Sequence, residues 1–356
     1  MKVLITGACG FAGSCIAHAL LDDDPSLQLV GIDNFSRPGS AQNVEPLRSR
    51  GVNLIHGDVR LTSDLDALGA VDWIIDAAAN PSVLAGVDGS TSSRQVLENN
   101  LYGTVNLLEL AKRFRAGFIL ISTSRVYSLN DLAHLPMTIE REAFKLDAGA
   151  TLPIGVTARG VTEQFSTQPP LSMYGSSKIA SEIIALEYSE AFDIPVWINR
   201  CGVMAGAGQF GRPDQGIFAY WINAYLRRAR LHYIGFGGTG HQTRDCLHPR
   251  DLAPILRAQM NETGKDKPRI ANFAGGMSNT MSLAQLSAWC AERFGEHRIE
   301  ADSEPRQFDV PWLVLDCDRA RETWNWQPAT TLKSILNEIA EHAEKHPEWL
   351  QISAPL

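Results

Sequence analysis

The chain has no surplus of positive charge, no closely spaced cysteines, no long apolar run and no repeated segment. Each absence removes a class of function. Lys and Arg number 32 against 40 Asp and Glu, for a net charge of −8. A nucleic-acid partner would need a basic face that this balance does not supply, although a few local arginines suffice for a phosphorylated small molecule. The six cysteines (Cys9, Cys15, Cys201, Cys246, Cys290 and Cys317) are scattered, and no Cys-x-x-Cys pair occurs. Neither a zinc site nor a disulfide framework is indicated, so no metal is expected. Isolated thiols suit a reducing cytosol. No apolar run reaches the roughly twenty residues of a membrane-spanning helix. Lys2 and the apolar residues after it could pass for a signal peptide, but glycines in a strand-turn-helix pattern argue against one. A soluble, cytoplasmic protein is expected. At 356 residues it can bury a large core, as one two-lobed unit or two domains.

The first thirty-three residues carry the strongest positive signal. Lys2-Val3-Leu4-Ile5-Thr6 reads as a strand, Gly7-Ala8-Cys9-Gly10-Phe11-Ala12-Gly13 as a glycine-rich turn, and Ser14 to Leu21 as a helix. A second strand, Leu27 to Ile32, ends at Asp33. Gly7 permits the tight turn, Gly10 lets the backbone approach a pyrophosphate, and Gly13 lets the helix lie close on the strand. The helix N-terminus offers N–H groups and a positive dipole end to phosphates. A carboxylate about twenty residues on can accept both ribose hydroxyls. It also repels a 2′-phosphate, so Asp33 points to NAD rather than NADP, with Arg37 close by.

Strands and helices then alternate. Leu54-Ile55-His56, Trp73-Ile74-Ile75, Phe118-Ile119-Leu120-Ile121 and Val196-Trp197-Ile198 read as strands. Gln95 to Phe114 has helical periodicity, with Val96, Leu101, Val105, Leu108 and Ala111 on one face, and Tyr174 to Phe192 is another long helix. This alternation implies an α/β fold, a doubly wound parallel Rossmann sheet, with ligands beyond the carboxyl ends of the strands. The expected organisation is a dinucleotide-binding domain over residues 1–200, with an insertion at 128–171. Residues 201–356 form a smaller, mixed, mainly substrate-binding lobe, from which 246–270 return to the first domain. The insertion has little periodicity and several prolines (Pro136, Pro153, Pro169, Pro170), and is expected to be a lid or wall of the substrate site. Thr331 to His346 reads as an amphipathic helix.

Tyr174 and Lys178 lie four apart on one helix face. A phenol is a poor base at neutral pH, but a neighbouring ammonium favours the phenolate, and the lysine can hold a ribose. Alone the pair is weak; it gains weight from the glycine turn and from Ser122-Thr123-Ser124 at the end of an apolar strand. Hydroxyls there can hydrogen-bond a substrate oxygen.

Together these motifs resemble the extended short-chain dehydrogenases/reductases, in their NAD-dependent sugar-nucleotide epimerase/dehydratase group. The matches run in order: Thr6 to Gly13 with Gly-x-x-Gly-x-x-Gly spacing, Asp33-Asn34, Gly57-Asp58-Val59, Asn100 to Thr104, Thr123, Tyr174-x-x-x-Lys178, Arg200 and Arg244-Asp245-x-x-His248. The resemblance implies catalysis by Tyr174, Lys178 and Thr123. It implies that NAD is held by Gly7, Gly10, Phe11, Ala12, Gly13, Asp33, Asn34, Asp58, Val59, Ala77, Ala78, Ala79, Asn100, Ser122, Tyr174, Lys178 and Arg200, with Asn100 bracing the active-site backbone. Asp76 departs from the histidine usual in the family, and Val203 from an asparagine. Asp214-Gln215-Gly216, Gly237 to Asp245 and Pro305-Arg306-x-x-Asp309 are similar to a subgroup acting on carbon 2 of CDP-linked dideoxyhexoses. By that resemblance Arg244 and Arg306 clamp a diphosphate, and Ser124, Arg125 and Gln215 meet the substrate. Related 4,6-dehydratases carry an Asp-Glu pair directly after the active-site threonine; here Ser124 and Arg125 stand there, without the acid and base elimination requires. The expectation is an epimerase of a nucleotide-diphosphate sugar, in a homodimer. The alternatives are a UDP-hexose 4-epimerase, a nucleotide-sugar reductase and a non-catalytic NAD-binding regulator.

Overall fold

A computed structural model describes residues 1–89, 91–264 and 266–353; the last three residues of the expected second lobe lie outside them. Short apolar runs form β1 (Lys2–Thr6), β2 (Gln28–Asp33), β3 (Asn53–His56), β4 (Trp73–Asp76), β5 (Gly117–Thr123) and β6 (Val196–Cys201). Beyond them lie β7 (Val203–Met204), β8 (Thr243–Leu247), β9 (Ile270–Phe273), β10 (Thr280–Ser282) and β11 (Trp312–Leu313). Seven strands make one sheet in the order β9-β6-β5-β4-β1-β2-β3, and every neighbouring pair is parallel. The strand order reverses between β1 and β4, which opens a crevice at their carboxyl ends.

The sheet is buried on both faces, as parallel sheets are. Alternate residues feed different cores: Ile5, Ile75 and Ile119 pack with α1 (Phe11–Asp23), whereas Leu4, Ile74 and Leu120 pack with α2 (Gly103–Phe114). The chain crosses twice along the second face, the return being α3 (Met173–Phe192), whose first turn is capped by Ser172 accepting the Gly175 N–H at 3.0 Å. A third core joins α4 (Ile217–Leu226), α6 (Leu283–Phe294) and α7 (Leu332–Lys345). Between α4 and α6, α5 (Ala253–Met260) packs into the α1 core. The helix expected at 331–346 is α7: Thr331 caps it, and Ile335, Leu336, Ile339 and Ala343 form its buried stripe.

Two expectations are corrected. The span 95–114 is not one uniform helix. A π turn at Glu98–Tyr102 separates Ser93–Leu97 from α2. The wider turn rotates the buried face onto Asn100, Thr104, Leu107 and Leu108, leaving Leu101 and Val105 half-buried. The insertion is neither lid nor wall. Its hairpin (Met137–Glu140 with Ala143–Leu146) and ribbon (Val156–Thr157 with Gly160–Val161) are not among the residues that line the crevice. Leu132, Leu135, Val161 and Phe165 share a core with Val310 to Leu315, and the Val161 N–H donates to the Val314 carbonyl at 2.8 Å. No residue from 128 to 171 lines the crevice; the hairpin is held to the second lobe instead, the Phe144 N–H donating to the His241 carbonyl at 2.9 Å and the Ser282 hydroxyl to the Glu142 carbonyl at 2.6 Å.

His248 caps the short turn at Pro249–Leu252, its Nδ1 accepting the Arg250 N–H at 3.1 Å. Burial and the Arg250 charge push its imidazole down to about 3. An unfolded histidine titrates near 6.5, so stability is level above that pH and falls as the pH drops from about 6.5 toward 3. His248→Asn keeps a capping oxygen and is expected to flatten the decline of Tm between pH 6.5 and 4. An unchanged decline would assign the acid sensitivity elsewhere.

Candidate active site

The crevice between the sheet's carboxyl edge and the second lobe encloses about 640 Å³. Its floor is the glycine turn. Gly7 has φ +60°, and a Cβ there would come within 3.0 Å of the Ala78 Cα. At Gly13 a Cβ would lie 2.2 Å from the Gly7 carbonyl oxygen, so only glycine lets α1 reach β1. A Cβ on Gly10 would meet only that same carbonyl, at 3.1 Å. No side chain caps the start of α1, and Gly10 to Gly13 face the crevice. A pyrophosphate therefore fits, with N–H groups toward it and no Cβ in its way.

Asp33 closes β2 at the rim. Its carboxylate accepts the Cys9 and Phe35 N–H groups, each at 2.8 Å, while burial raises its pKa against those bonds. Arg37 turns one arm to the Phe210 carbonyl, and both it and Asp33 line the crevice. Asn34 donates to Asp58 at 3.0 Å, and Arg60 holds the Asp58 carboxyl down at about 2. Val59 and Ala77 to Ala79 line the opposite wall. Thr6 fixes that wall by accepting the Ala77 and Ala78 N–H groups at 3.1 and 3.0 Å.

At the inner end, β5 and α3 bring Thr123, Tyr174 and Lys178 together. Burial pushes the Tyr174 phenol up to about 12, and its hydrogen bond with Thr123 and the Arg125 charge act the other way. Lys178 is 1% exposed. Burial lowers its pKa, and the charges of Asp76 and Glu182 oppose that. Asp76, at the position where histidine was expected, is buried and accepts from Thr6 at 2.8 Å and Thr104 at 2.7 Å. It serves as a countercharge beneath Lys178.

Ser124, Arg125, Gln215, Arg244 and Arg306 all line the crevice. Arg244 is held by Asp309 at 2.6 Å and by the Val310 carbonyl at 2.8 Å. Burial lowers its pKa against the pull of Asp309.

Two residues expected to touch the cofactor do not reach the crevice. Arg200 is locked to Glu182, Nη2 to Oε2 at 2.7 Å, and 4% exposed. Asn100 is fully buried; its Oδ1 accepts the Asn80 N–H at 2.7 Å and its Nδ2 donates to Ser177 at 3.1 Å. It braces the chain after β4 rather than meeting a ligand. Ser122 borders the crevice, but its hydroxyl donates to Glu182 at 2.5 Å. Conversely, Asn99, Arg212, Asp214, Gln242 and Asp309 line the crevice and were not among the expected site residues. Asp214 accepts from Ser82 across the crevice at 2.5 Å. Asp214, Gln242 and Asp309 lay within the quoted motifs, beside Gln215, Arg244 and Arg306; Asn99, in the π turn, and Arg212 had no signal, because their approach to the crevice is a tertiary matter.

A glycine cradle, an acidic residue closing β2 and a Thr-Tyr-Lys cluster define a dinucleotide-dependent enzyme working on an alcohol carbon. The chain belongs to the NAD dependent epimerase/dehydratase family, whose model matches residues 3–274, and it is an NAD-dependent enzyme of that family. It is 27% identical to a CDP-paratose 2-epimerase of Salmonella typhi over 94% of this chain and 96% of that one. It is 25% identical to a UDP-glucuronate 4-epimerase of Thermodesulfobacterium geofontis, covering 98% of each. The crystal structure of a UDP-glucuronic acid 4-epimerase from Bacillus cereus, in complex with UDP-glucuronic acid and NAD, superposes with a TM-score of 0.78 at 25% identity, covering 97% of this chain and 99% of that one. Among the described residues no cluster could hold a metal ion, and no helix is long and apolar enough to cross a membrane.

Proposed function

We propose that the protein inverts one carbon of a nucleotide-linked hexose by transient oxidation to a keto-sugar and reduction from the opposite face. The observation that carries this reading is the Thr123, Tyr174 and Lys178 cluster beside the glycine cradle, with Ser124 and Arg125 where elimination would need an acid and a base. NAD, when bound, supplies the hydride acceptor and then the donor. Gly7, Gly10 and Gly13 hold its pyrophosphate, and Asp33 its ribose. Tyr174 removes the proton of the reacting hydroxyl and later returns it. Thr123 hydrogen-bonds that oxygen, and Lys178 favours the phenolate and orients the nicotinamide ribose. Arg244 and Arg306 hold the substrate diphosphate, since guanidinium groups suit phosphate oxygens.

Carbon 2 of a CDP-dideoxyhexose is the substrate position we favour, supported by the 214–216 and 305–309 motifs and by the CDP-paratose 2-epimerase relative. Inversion at carbon 4 of a UDP-hexose is the second reading, supported by the UDP-glucuronate 4-epimerase relative. Incubating the enzyme with CDP-, UDP-, GDP- and dTDP-sugars in D2O, followed by NMR, separates them. The expected result is one inverted centre that keeps its C–H. Deuterium at that centre would replace hydride return with deprotonation.

We place the enzyme in the cytoplasm, as its unpaired thiols suggest. A homodimer is supported by the outer faces of residues 93–114 and 173–192, where Tyr102 is 60%, Ile183 55% and Phe192 43% exposed. Sedimentation equilibrium is expected to return twice the chain mass; a monomer at micromolar concentration would overturn this.

A further inference from the structure

The segment between β7 and α4 is bonded to two loops of the first lobe. Near its start the Arg37 guanidinium donates to the Phe210 carbonyl. Further along, the Asp214 carboxylate accepts the Ser82 hydroxyl at 2.5 Å. Arg37 comes soon after β2 ends at Asp33, and Ser82 soon after β4 ends at Asp76. Between those two strands lies β1, which runs into the glycine turn. A chain bonded to both neighbours of β1 passes over that turn. The second lobe also meets the turn directly, since a Cβ on Gly206 would lie 3.2 Å from the Phe11 Cζ.

The two attachments differ in kind. Phe210 is held by packing: its ring stacks on Trp349 with centroids 5.3 Å apart, and a Cβ on Gly39 would come within 2.6 Å of it. Trp349, in the short helix Trp349–Ser353, also donates its Nε1–H to the Gln209 carbonyl at 2.9 Å. Toward Asp214 the chain makes a turn bonded to itself. The Arg212 N–H donates to the Gln215 carbonyl at 2.7 Å, and the Gln215 N–H to the Arg212 carbonyl at 3.2 Å. Among the described residues, the Ser82 bond is the one hydrogen bond from this turn to the first lobe. Ser82 is itself fixed, its Oγ accepting the Leu84 N–H at 3.2 Å, and it does not line the crevice.

The charges favour the closed position when an anion lies in the cradle. Arg37 and Arg212 both line the crevice. At Arg37, Arg212 is felt as a like charge and Asp214 as the opposing one. A pyrophosphate brings anionic oxygens to this pair of guanidinium groups and relieves their repulsion. We propose that residues 209–216 form a strap over the bound dinucleotide, and that Asp214 is a positioning residue whose bond to Ser82 is the latch NAD must break to leave. This rests on the epimerase reading above, in which the same NADH returns the hydride. A strap that stays latched through both transfers keeps that NADH beside the keto-sugar, as lids do elsewhere.

The test is cofactor exchange. The purified, NAD-containing enzyme is mixed with an excess of isotope-labelled NAD, and label bound to the protein is followed with time. Ser82→Ala and Asp214→Ala are each expected to speed exchange about tenfold or more, the effect of losing one hydrogen bond to a charged group. The double variant is expected to match either single variant, because all three lack the same bond. Asp214→Asn keeps an oxygen for the Ser82 hydroxyl and is expected to stay within about threefold of wild type. Exchange at the wild-type rate in both alanine variants, or accelerations that multiply in the double variant, overturns the latch. Asp214→Asn as fast as Asp214→Ala would trace the effect to charge beside Arg37 and overturns it too. In each case inversion of a sugar nucleotide by wild type leaves the epimerase reading standing. The expected exchange pattern in an enzyme that inverts no sugar nucleotide keeps the strap and overturns that reading.

Discussion

Tyr174→Phe is expected to lower turnover about a thousandfold, within the range general acid–base groups contribute, while bound NAD and thermal stability stay near wild type. The ring is kept, so the packing around this 8% exposed side chain survives. Only the hydroxyl is lost, and with it the hydrogen bond to Thr123. Without the phenol hydroxyl the inner end keeps no second base at the dehydratase positions, where Ser124 and Arg125 stand. Burial lifts the phenol to about 12 in the unliganded protein, so at neutral pH it is protonated and activity rises with pH along the acid limb. Thr123→Val removes the bond that pulls this pKa down and is expected to move the limb to higher pH. Full turnover in Tyr174→Phe, with every accepted sugar nucleotide, would sink the mechanism.

The largest stability effect is expected from Arg200→Met, which should cost about 3–5 kcal/mol in urea denaturation. The Glu182 carboxylate is 1% exposed and takes three bonds from Arg200, at 2.7 to 3.1 Å, as well as the Ser122 hydroxyl at 2.5 Å. Removing the guanidinium strands a buried charge between β5, β6 and α3. Tyr127 loses a donor at 3.4 Å, though its hydroxyl keeps Asn272 at 2.7 Å. Replacing both partners, as Arg200→Met with Glu182→Leu, is expected to recover most of the loss, because an apolar pair needs no countercharge. A single variant within about 1 kcal/mol of wild type would mean that water or a rearranged side chain reaches Glu182.

Arg200 and Asn100, both expected among the cofactor contacts, show where linear reading stops, although Asn100 does brace the backbone as expected. Arg200 is the last residue but one of β6, at the position where an arginine facing the cofactor was expected. What turns it inward is Glu182, eighteen residues away on a helix that crosses the sheet. Asn100 matched a motif, but its burial depends on the π turn at Glu98–Tyr102, which periodicity over Gln95 to Phe114 does not reveal. The proline-rich insertion looked like a wall because it precedes Tyr174. Its apolar residues instead pair with Val310 to Leu315, some 150 residues further on, a partnership with no local trace.

Local steric and periodic rules made the rest readable. A glycine at Gly13 is dictated by one close backbone approach, and a carboxylate at Asp33 by the end of one strand. Alternation of short apolar runs with helices leaves a parallel sheet as the packing that buries both faces, so the sequence by itself determined the fold, the cofactor cradle and the Tyr174-Lys178 pair. Which arginines line the crevice and which is locked in the core were decided only by the tertiary structure. Each of those depends on charges and apolar surfaces that lie far apart along the chain and meet only when the second lobe packs against the sheet.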